Sequence, residues 1–353
     1  MSLFNTAVQG RPARFGSIFA PDSTWLALQP AEPVIEPDIP IVDAHHHLWD
    51  RPQSEYLIRQ YAEDVAGGHA VVKTVYLESG AMSRAHGPAS LRPVGETEFA
   101  AGMAAMSESG AYGPAKICAG IVGFADLRLG AAVEEVLAAH LEAGNGRFRG
   151  VRFAAGWDAS PEVGNSHDWC ESQMMLRDDV ISGLHVLSRM GLSLDAWVFH
   201  PQLGDVQAIA EALPGLDIVV GHCGGPLGYG PYAGRENEVF EVWRASMARL
   251  AKYPNVSVKL GGMMMRLAAF DYRTAPIPPS SELLASLWRP YVETCVDLFG
   301  AQRCMFESNF PVEKMGTGYN VFWNAMKRVV GAASVDEKRA LFSGTASRFY
   351  RLD

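Results

Sequence analysis

Several features that would each have pointed to a function class are missing from this chain. Its five cysteines (Cys118, Cys170, Cys223, Cys295 and Cys304) are scattered, odd in number and contain no Cys-x-x-Cys pair. They read as reduced, mostly buried thiols of a cytosolic protein rather than as a disulfide framework. No Lys/Arg-rich run occurs, and the formal charge is −9, so no nucleic-acid footprint is expected. No apolar run reaches membrane-spanning length, and the N-terminus has neither a basic n-region nor an apolar h-region. The expectation is a cytoplasmic protein without a membrane partner. A Walker A loop is absent, as is any Gly-x-Gly-x-x-Gly after a strand, which argues against a nucleotide enzyme.

What is present is ordinary globular material, 48% hydrophobic and 20% charged over 353 residues. That length fits two average domains or one large α/β barrel. Residues 1–40 form a Pro-rich arm without helical periodicity. Trp25 and Leu26 offer a means of pinning it to the barrel or to a second subunit, which leaves a homo-oligomer open; a loosely held arm fits equally well. Residues 41–353 alternate strand and helix signals.

The first strand signal is the most informative stretch, Ile41-Val42-Asp43-Ala44-His45-His46-His47-Leu48-Trp49. Its β-branched start predicts a buried strand, and a period of two places Asp43, His45 and His47 on one face with His46 opposite. Two imidazoles on one face at a strand end can clamp a divalent cation or aim at one substrate atom. Further strands are expected at 70–78, 117–124, 150–153, 192–199, 216–221, 256–260 and 304–307. Between them, Val133, Val136, Leu137 and Leu141 predict one helix face stopped at Gly144. Asp205 is placed as the cap of another helix, and Ser334 with Glu337 has capping-box spacing before a last one.

Eight strand signals separated mostly by helical patterns, and never by tight hairpin turns, predict a parallel sheet closed as a (β/α)8 barrel. Long loops at 80–97, 156–177 and 261–281 would then cover its C-terminal mouth, where ligands bind. The polar residues at strand ends are His45 and His47, Glu78, Arg152, His200, His222, and Glu307 with Asn309. A lone histidine after a strand is usually a satisfied core residue; four from three parts of one barrel are harder to explain that way. The planar fork of Arg152 suits a substrate carboxylate or, equally, a structural ion pair. Trp157, Trp169 and Met263 to Met265 fit an apolar substrate face or plain packing.

Taken in order, Asp43-Ala44-His45-His46-His47-Leu48-Trp49-Asp50, Gly150-Val151-Arg152, His200-Pro201-Gln202, His222-Cys223-Gly224-Gly225-Pro226 and Phe306-Glu307-Ser308-Asn309-Phe310-Pro311 resemble the amidohydrolase superfamily. More closely, they are similar to its family of TIM-barrel metal-dependent hydrolases that includes lactonases. The resemblance implies hydrolysis of sugar-acid lactones, muconolactones or a pyrone dicarboxylate; more distant relatives are decarboxylases and hydratases of unsaturated acids. It also implies a divalent metal on His45, His47 and His200, zinc first and manganese second, although some relatives work without one. The family's Gly-Ser-Asp-Trp-Pro segment is here Glu307-Ser308-Asn309-Phe310-Pro311. An amide cannot take a proton from water, so Glu307, two residues earlier, is the candidate to supply the missing carboxylate.

The leading expectation is an enzyme that opens a lactone, or a related cyclic ester or amide, of a small carboxylated substrate with an activated water. His45, His47, His200, His222, Glu307 and Asn309 are its candidate catalytic residues, and Arg152, Glu78 and Trp49 its candidate substrate contacts. The alternatives are a metal-dependent decarboxylase or hydratase of unsaturated or aromatic acids, and a binding protein that lost its chemistry with the Asp.

Overall fold

In the computed structural model, residues 20–51, 54–265 and 275–352 are described. In chain order the strands are β1 (Ile41–His46), β2 (Trp49–Arg51), β3 (Ser54–Tyr56), β4 (Val71–Leu77), β5 (Lys116–Gly123), β6 (Phe148–Ala154), β7 (Ser193–Trp197), β8 (Ile218–Val220), β9 (Val256–Leu260) and β10 (Cys304–Phe306). Eight of them form one parallel sheet in the order β1-β4-β5-β6-β7-β8-β9-β10, with helices on its outer side. This is a (β/α)8 barrel. Its seam is closed just past β10: Asn309 N–H donates to the His45 carbonyl (2.8 Å) and His47 N–H to the Phe310 carbonyl (2.7 Å).

Side chains two residues apart on neighbouring strands build the barrel interior. Val42 and Ala44, Val75 and Leu77, Val122, Val219 and Met305 form one apolar cluster, with Ala346, Tyr350 and Leu352 packed among them. Intervening residues such as Ile41, Tyr76, Ile121 and Phe306 belong to the larger core shared with the helices. β-Branched residues at these positions suit a pleated surface buried on both faces.

Several local expectations are corrected. The alternation that placed Asp43 beside His45 fails, because β1 has a register irregularity between Asp43 and His46. Val42 and Ala44 already face the interior, so Asp43 points outward, where Tyr61, Tyr319 and Ser308 donate to its carboxylate. Second, a hairpin does interrupt the pattern: β2 pairs antiparallel with β3, Trp49 opposite Tyr56 and Arg51 opposite Ser54. Third, in the helix Val133–Ala143 the buried face is Val133, Val136, Leu137 and His140. Leu141 is exposed, and His140 takes the core position because Thr97 and the Phe124 carbonyl satisfy its ring nitrogens.

The helix Leu203–Ala212 starts two residues before Asp205, which sits in its first turn rather than capping it. The capping box of Ser334 and Glu337 is formed as expected. All five cysteines are buried and unpaired with one another by disulfides. Among the described residues no helix is long and apolar enough to cross a membrane.

The described part of the arm is fastened to the barrel. Trp25 Nε1 donates to the Ala275 carbonyl and Gln29 Nε2 to that of Pro279, both at 2.9 Å, while Ile35 N–H donates to Asn324 Oδ1 at 2.9 Å. Residues 1–19, and residues 266–274 of the third long loop, lie outside the described residues.

Candidate active site

At the mouth of the barrel, β1 delivers His45 and His47, β8 leads into His222, and β10 leads into Glu307. All four side chains are buried. Glu307 is the hub. Its Oε2 lies 2.7 Å from His45 Nδ1, and its Oε1 lies 2.7 Å from His222 Nδ1 and 2.9 Å from the His222 backbone nitrogen. A carboxylate only accepts, so His222 carries its proton on Nδ1 and presents a bare Nε2, whereas His45 Nδ1 and Glu307 Oε2 stand at contact distance without an aligned hydrogen bond.

His47 reaches the same state by another route, donating Nδ1–H to the Leu77 carbonyl at 2.8 Å. Its Nε2 then faces His45 Nε2 at 3.0 Å. At that distance the two nitrogens need either one shared proton or a cation between them. A first-row cation about 2.0–2.1 Å from each nitrogen fits such a pair. The donor set therefore suits a divalent metal on the Nε2 side.

His45, His222 and Glu307 are the group among the described residues whose ligating atoms all lie within 4.8 Å of one another. Glu307 orients His222 through Oε1 and faces His45 Nδ1 through Oε2, and the Nε2 nitrogens of the histidines remain for a cation. Burial, followed by the charges of Lys259, His47, His222 and Arg152, holds His45 well below the ordinary histidine value. Burial and Arg152 do the same to His47. Both rings are thus neutral, as ligands or acceptors must be.

Burial alone would raise Glu307, yet its carboxyl ends below the ordinary value, because His222 and Lys259 outweigh that effect. Lys259 lies under the site on β9, fully buried, with Nζ 2.7 Å from Asp195 Oδ2. Tyr350 donates to the same oxygen at 2.7 Å. This layer was missed in the sequence, although a lysine inside the apolar run of β9 was a visible signal.

Backbone geometry holds the hub in place. His222 and Asn309 both adopt left-handed φ values, 53° each, a conformation that bulky residues take only when their surroundings impose it. Gly262, with φ +70°, lies so close that an added Cβ would sit 2.3 Å from His222 Nδ1, and one on Gly261 would sit 2.3 Å from the Glu307 carbonyl. Glycine is required at both. Outside the barrel wall, Asp43 accepts from the Ser308 N–H at 2.8 Å, fixing the residue between Glu307 and Asn309. His46 stacks on Tyr61 at 4.1 Å and bonds Thr74, and burial pushes it down to about 3.

A cavity of about 170 Å³ opens above this floor. His47, His222 and Asn309 line its base; Trp49, Arg51, Glu78, Arg152, His167 and Met265 line its walls. Arg152 Nε donates to Glu78 Oε1 at 2.7 Å, so these two expected substrate contacts are ion-paired with each other. Trp49 stacks on His47 at 5.8 Å. Asn309 gives its Nδ2 to Glu313 at 3.2 Å, which leaves its oxygen as the unused atom.

His200 stands apart from the other expected site residues. It opens a short 3-10 turn, its Nδ1 accepts from the Leu227 N–H at 3.3 Å, and its ring meets Tyr232 edge-on at 5.2 Å. Among the described residues His200 is outside the group of close ligating atoms formed by His45, His222 and Glu307. Arg51 and His167 were not among the expected site residues. Arg51 sits two positions past Trp49 on a strand the sequence reading did not anticipate.

Comparison with known proteins follows the same lines. Residues 42–352 match the family model described as Amidohydrolase. An uncharacterized protein, y4mH, of Sinorhizobium fredii is 31% identical over 345 residues, covering 89% of this chain and 99% of its own. An L-fucono-1,5-lactonase of Burkholderia multivorans is 27% identical over 328 residues, 88% of this chain and 96% of that one. Among solved structures, an amidohydrolase from Burkholderia multivorans with bound Zn superposes with a TM-score of 0.69 at 24% identity, covering 89% of this chain and 99% of that one.

Proposed function

The chain belongs to the amidohydrolase family and is an enzyme, and from that premise we propose that it opens the ring of a small, carboxylated lactone or related cyclic ester or amide by attack of water. The observation that carries the reading is the convergence of the His45 and His47 Nε2 atoms, 3.0 Å apart, beside His222 at the base of the cavity. The L-fucono-1,5-lactonase relative supports the same class.

His45 and His47 would hold a divalent metal, zinc or manganese, through Nε2; when bound it polarises the substrate carbonyl and acidifies water. His222 Nε2 takes the proton of the attacking water. Glu307, hydrogen-bonded at His222 Nδ1, stabilises the imidazolium that forms, as a carboxylate behind a general base does. The water oxygen bonds to the carbonyl carbon, the carbon–oxygen bond of the ring breaks, and His222 returns its proton to the leaving ring oxygen. The product is a hydroxy acid. Glu307 Oε1 is taken up by His222 and its Oε2 faces His45 Nδ1, so the reading gives the proton to His222 rather than to Glu307.

A panel of lactones assayed by proton release, with the hydroxy acid identified in stoichiometric amount, tests the reaction. Carbon dioxide release from unsaturated or aromatic acids, with no lactone turned over, would replace hydrolysis by decarboxylation on the same site.

A further inference from the structure

The cavity wall carries two arginines, and their surroundings differ. Arg152 is satisfied from within the protein: Nε goes to the Glu78 carboxylate and Nη2 to the Glu78 carbonyl. Its charge is matched by the partner it touches. Arg51 is matched less closely: Glu96 and Glu78 act on its charge only from beyond ion-pair distance. Among the described residues its hydrogen bond runs from Nη2 to the Ser79 carbonyl at 2.6 Å, a neutral acceptor, and its guanidinium carbon lies 4.1 Å above the Trp49 ring. No carboxylate is within ion-pair distance of Arg51 among the described residues, although the guanidinium is permanently charged.

The hairpin explains how Arg51 reaches the cavity. Trp49 and Arg51 are two apart on β2 and so share a face, and pairing with Ser54–Tyr56 on β3 fixes that face. Trp49 Nε1 is anchored to Ser54 Oγ at 3.2 Å, and Trp49 stacks on His47. His47, Trp49 and Arg51 therefore form one line of stacked groups from the floor of the site to its wall. A flat guanidinium held on an aromatic ring keeps its edge donors in place for a planar anion.

We propose that Arg51, and not Arg152, is the residue that selects an anionic substrate, binding a carboxylate on the ring while the scissile carbonyl lies over His45 and His47. This inference rests on the hydrolase reading for the identity of the reacting group, but recognition of the anion does not require turnover. Arg152 is a positioning residue that holds Glu78 and the wall of the cavity.

Binding is therefore the test, measured by calorimetry on the full chain with two non-reacting probes: α-hydroxyglutarate, and the analogue in which its distal carboxylate is a carboxamide. Wild-type protein should prefer the carboxylate probe by roughly ten- to a hundredfold, the usual scale for charge-assisted hydrogen bonds. R51M should bring the ratio close to one, R51K should leave it intermediate, and R152M should keep the preference even if both probes weaken together. A wild-type protein without the preference, an R51M protein that retains it, or a preference lost only in R152M would each overturn the assignment. Loss of lactone turnover in wild-type protein alongside an Arg51-dependent preference would instead remove the hydrolase reading and leave Arg51 in its role.

Discussion

His45 Nε2 and His47 Nε2 lie 3.0 Å apart, with the His47 ring fixed by its Nδ1–H bond to the Leu77 carbonyl and His45 Nδ1 standing 2.7 Å from Glu307 Oε2. That pairing of nitrogens governs the first expectation. His47→Ala removes one of the two and should lower kcat/KM by on the order of a hundredfold or more. It should also empty the site of metal, measured by elemental analysis of untagged protein. Wild-type metal content in the variant would mean that the cation, if bound, lies on another set of donors.

Glu307→Gln keeps the shape of the hub and removes its charge. A carboxamide has one acceptor oxygen, and its NH2 group cannot accept, so one of the two histidines must lose its orientation. Activity should fall by roughly a hundredfold or more, the scale of a lost base or its partner. Asn309→Ala should cost less, since that side chain contributes only an amide contact. Full activity in Glu307→Gln would return the hub to a merely structural part.

Stability should peak near neutrality, and the sign follows from two opposed sets of groups. Burial pushes His46 to about 3 and His69, His140 and His200 to about 4. Below the ordinary value near 6.5 the unfolded chain binds more protons at these sites, so stability is lost as pH falls from there. Burial raises Glu96 to about 7 and Glu313 to about 8; their contributions are present in acid and lost as pH rises through those values. Glu313→Gln should therefore gain in Tm relative to wild type as pH rises from about 4.5 to about 8, and the gain should level off above that. A constant difference across that range would contradict the assignment for Glu313.

The Lys259–Asp195 pair makes a stability prediction of the opposite kind. Lys259→Met leaves a buried carboxylate with only Tyr350 for company and should cost about 3–5 kcal/mol in urea unfolding. Adding Asp195→Asn removes the stranded charge while keeping an acceptor for Tyr350, and should recover most of that loss. A double variant as unstable as the single one would place the cost in packing rather than in charge.

The barrel and most of its mouth were legible in the sequence for a physical reason. Strands buried on both faces are written as apolar β-branched runs, and the polar residues that interrupt their ends, His45, His47, Arg152, His222 and Glu307, are conspicuous against them. What was not legible is what depends on exact register or on contacts between distant strands. The irregularity after Asp43 turned that residue outward, away from the face it was expected to share with His45 and His47. The pairing of Arg152 with Glu78 spends a charge that the sequence leaves free. His200 ends its strand as His222 does, but a turn carries it under the Leu227 segment instead of toward the hub. The hairpin bearing Arg51 is too short, at three residues a strand, to announce itself by alternation.

Finally, the seam where the barrel closes runs through the active site. Ser308 contacts the His45 carbonyl across 263 positions of sequence, and the strand on either side of that join carries the groups proposed to do the chemistry. On a ribosome the histidine pair emerges early and waits for most of the chain before Glu307 arrives, so a product that ends before Glu307 lacks the hub of the site. Contacts of such long range form late, because the chain entropy of the intervening loop must be overcome first. In mild denaturant the same seam is a natural first place for the barrel to open, and catalysis should disappear while most helical structure remains.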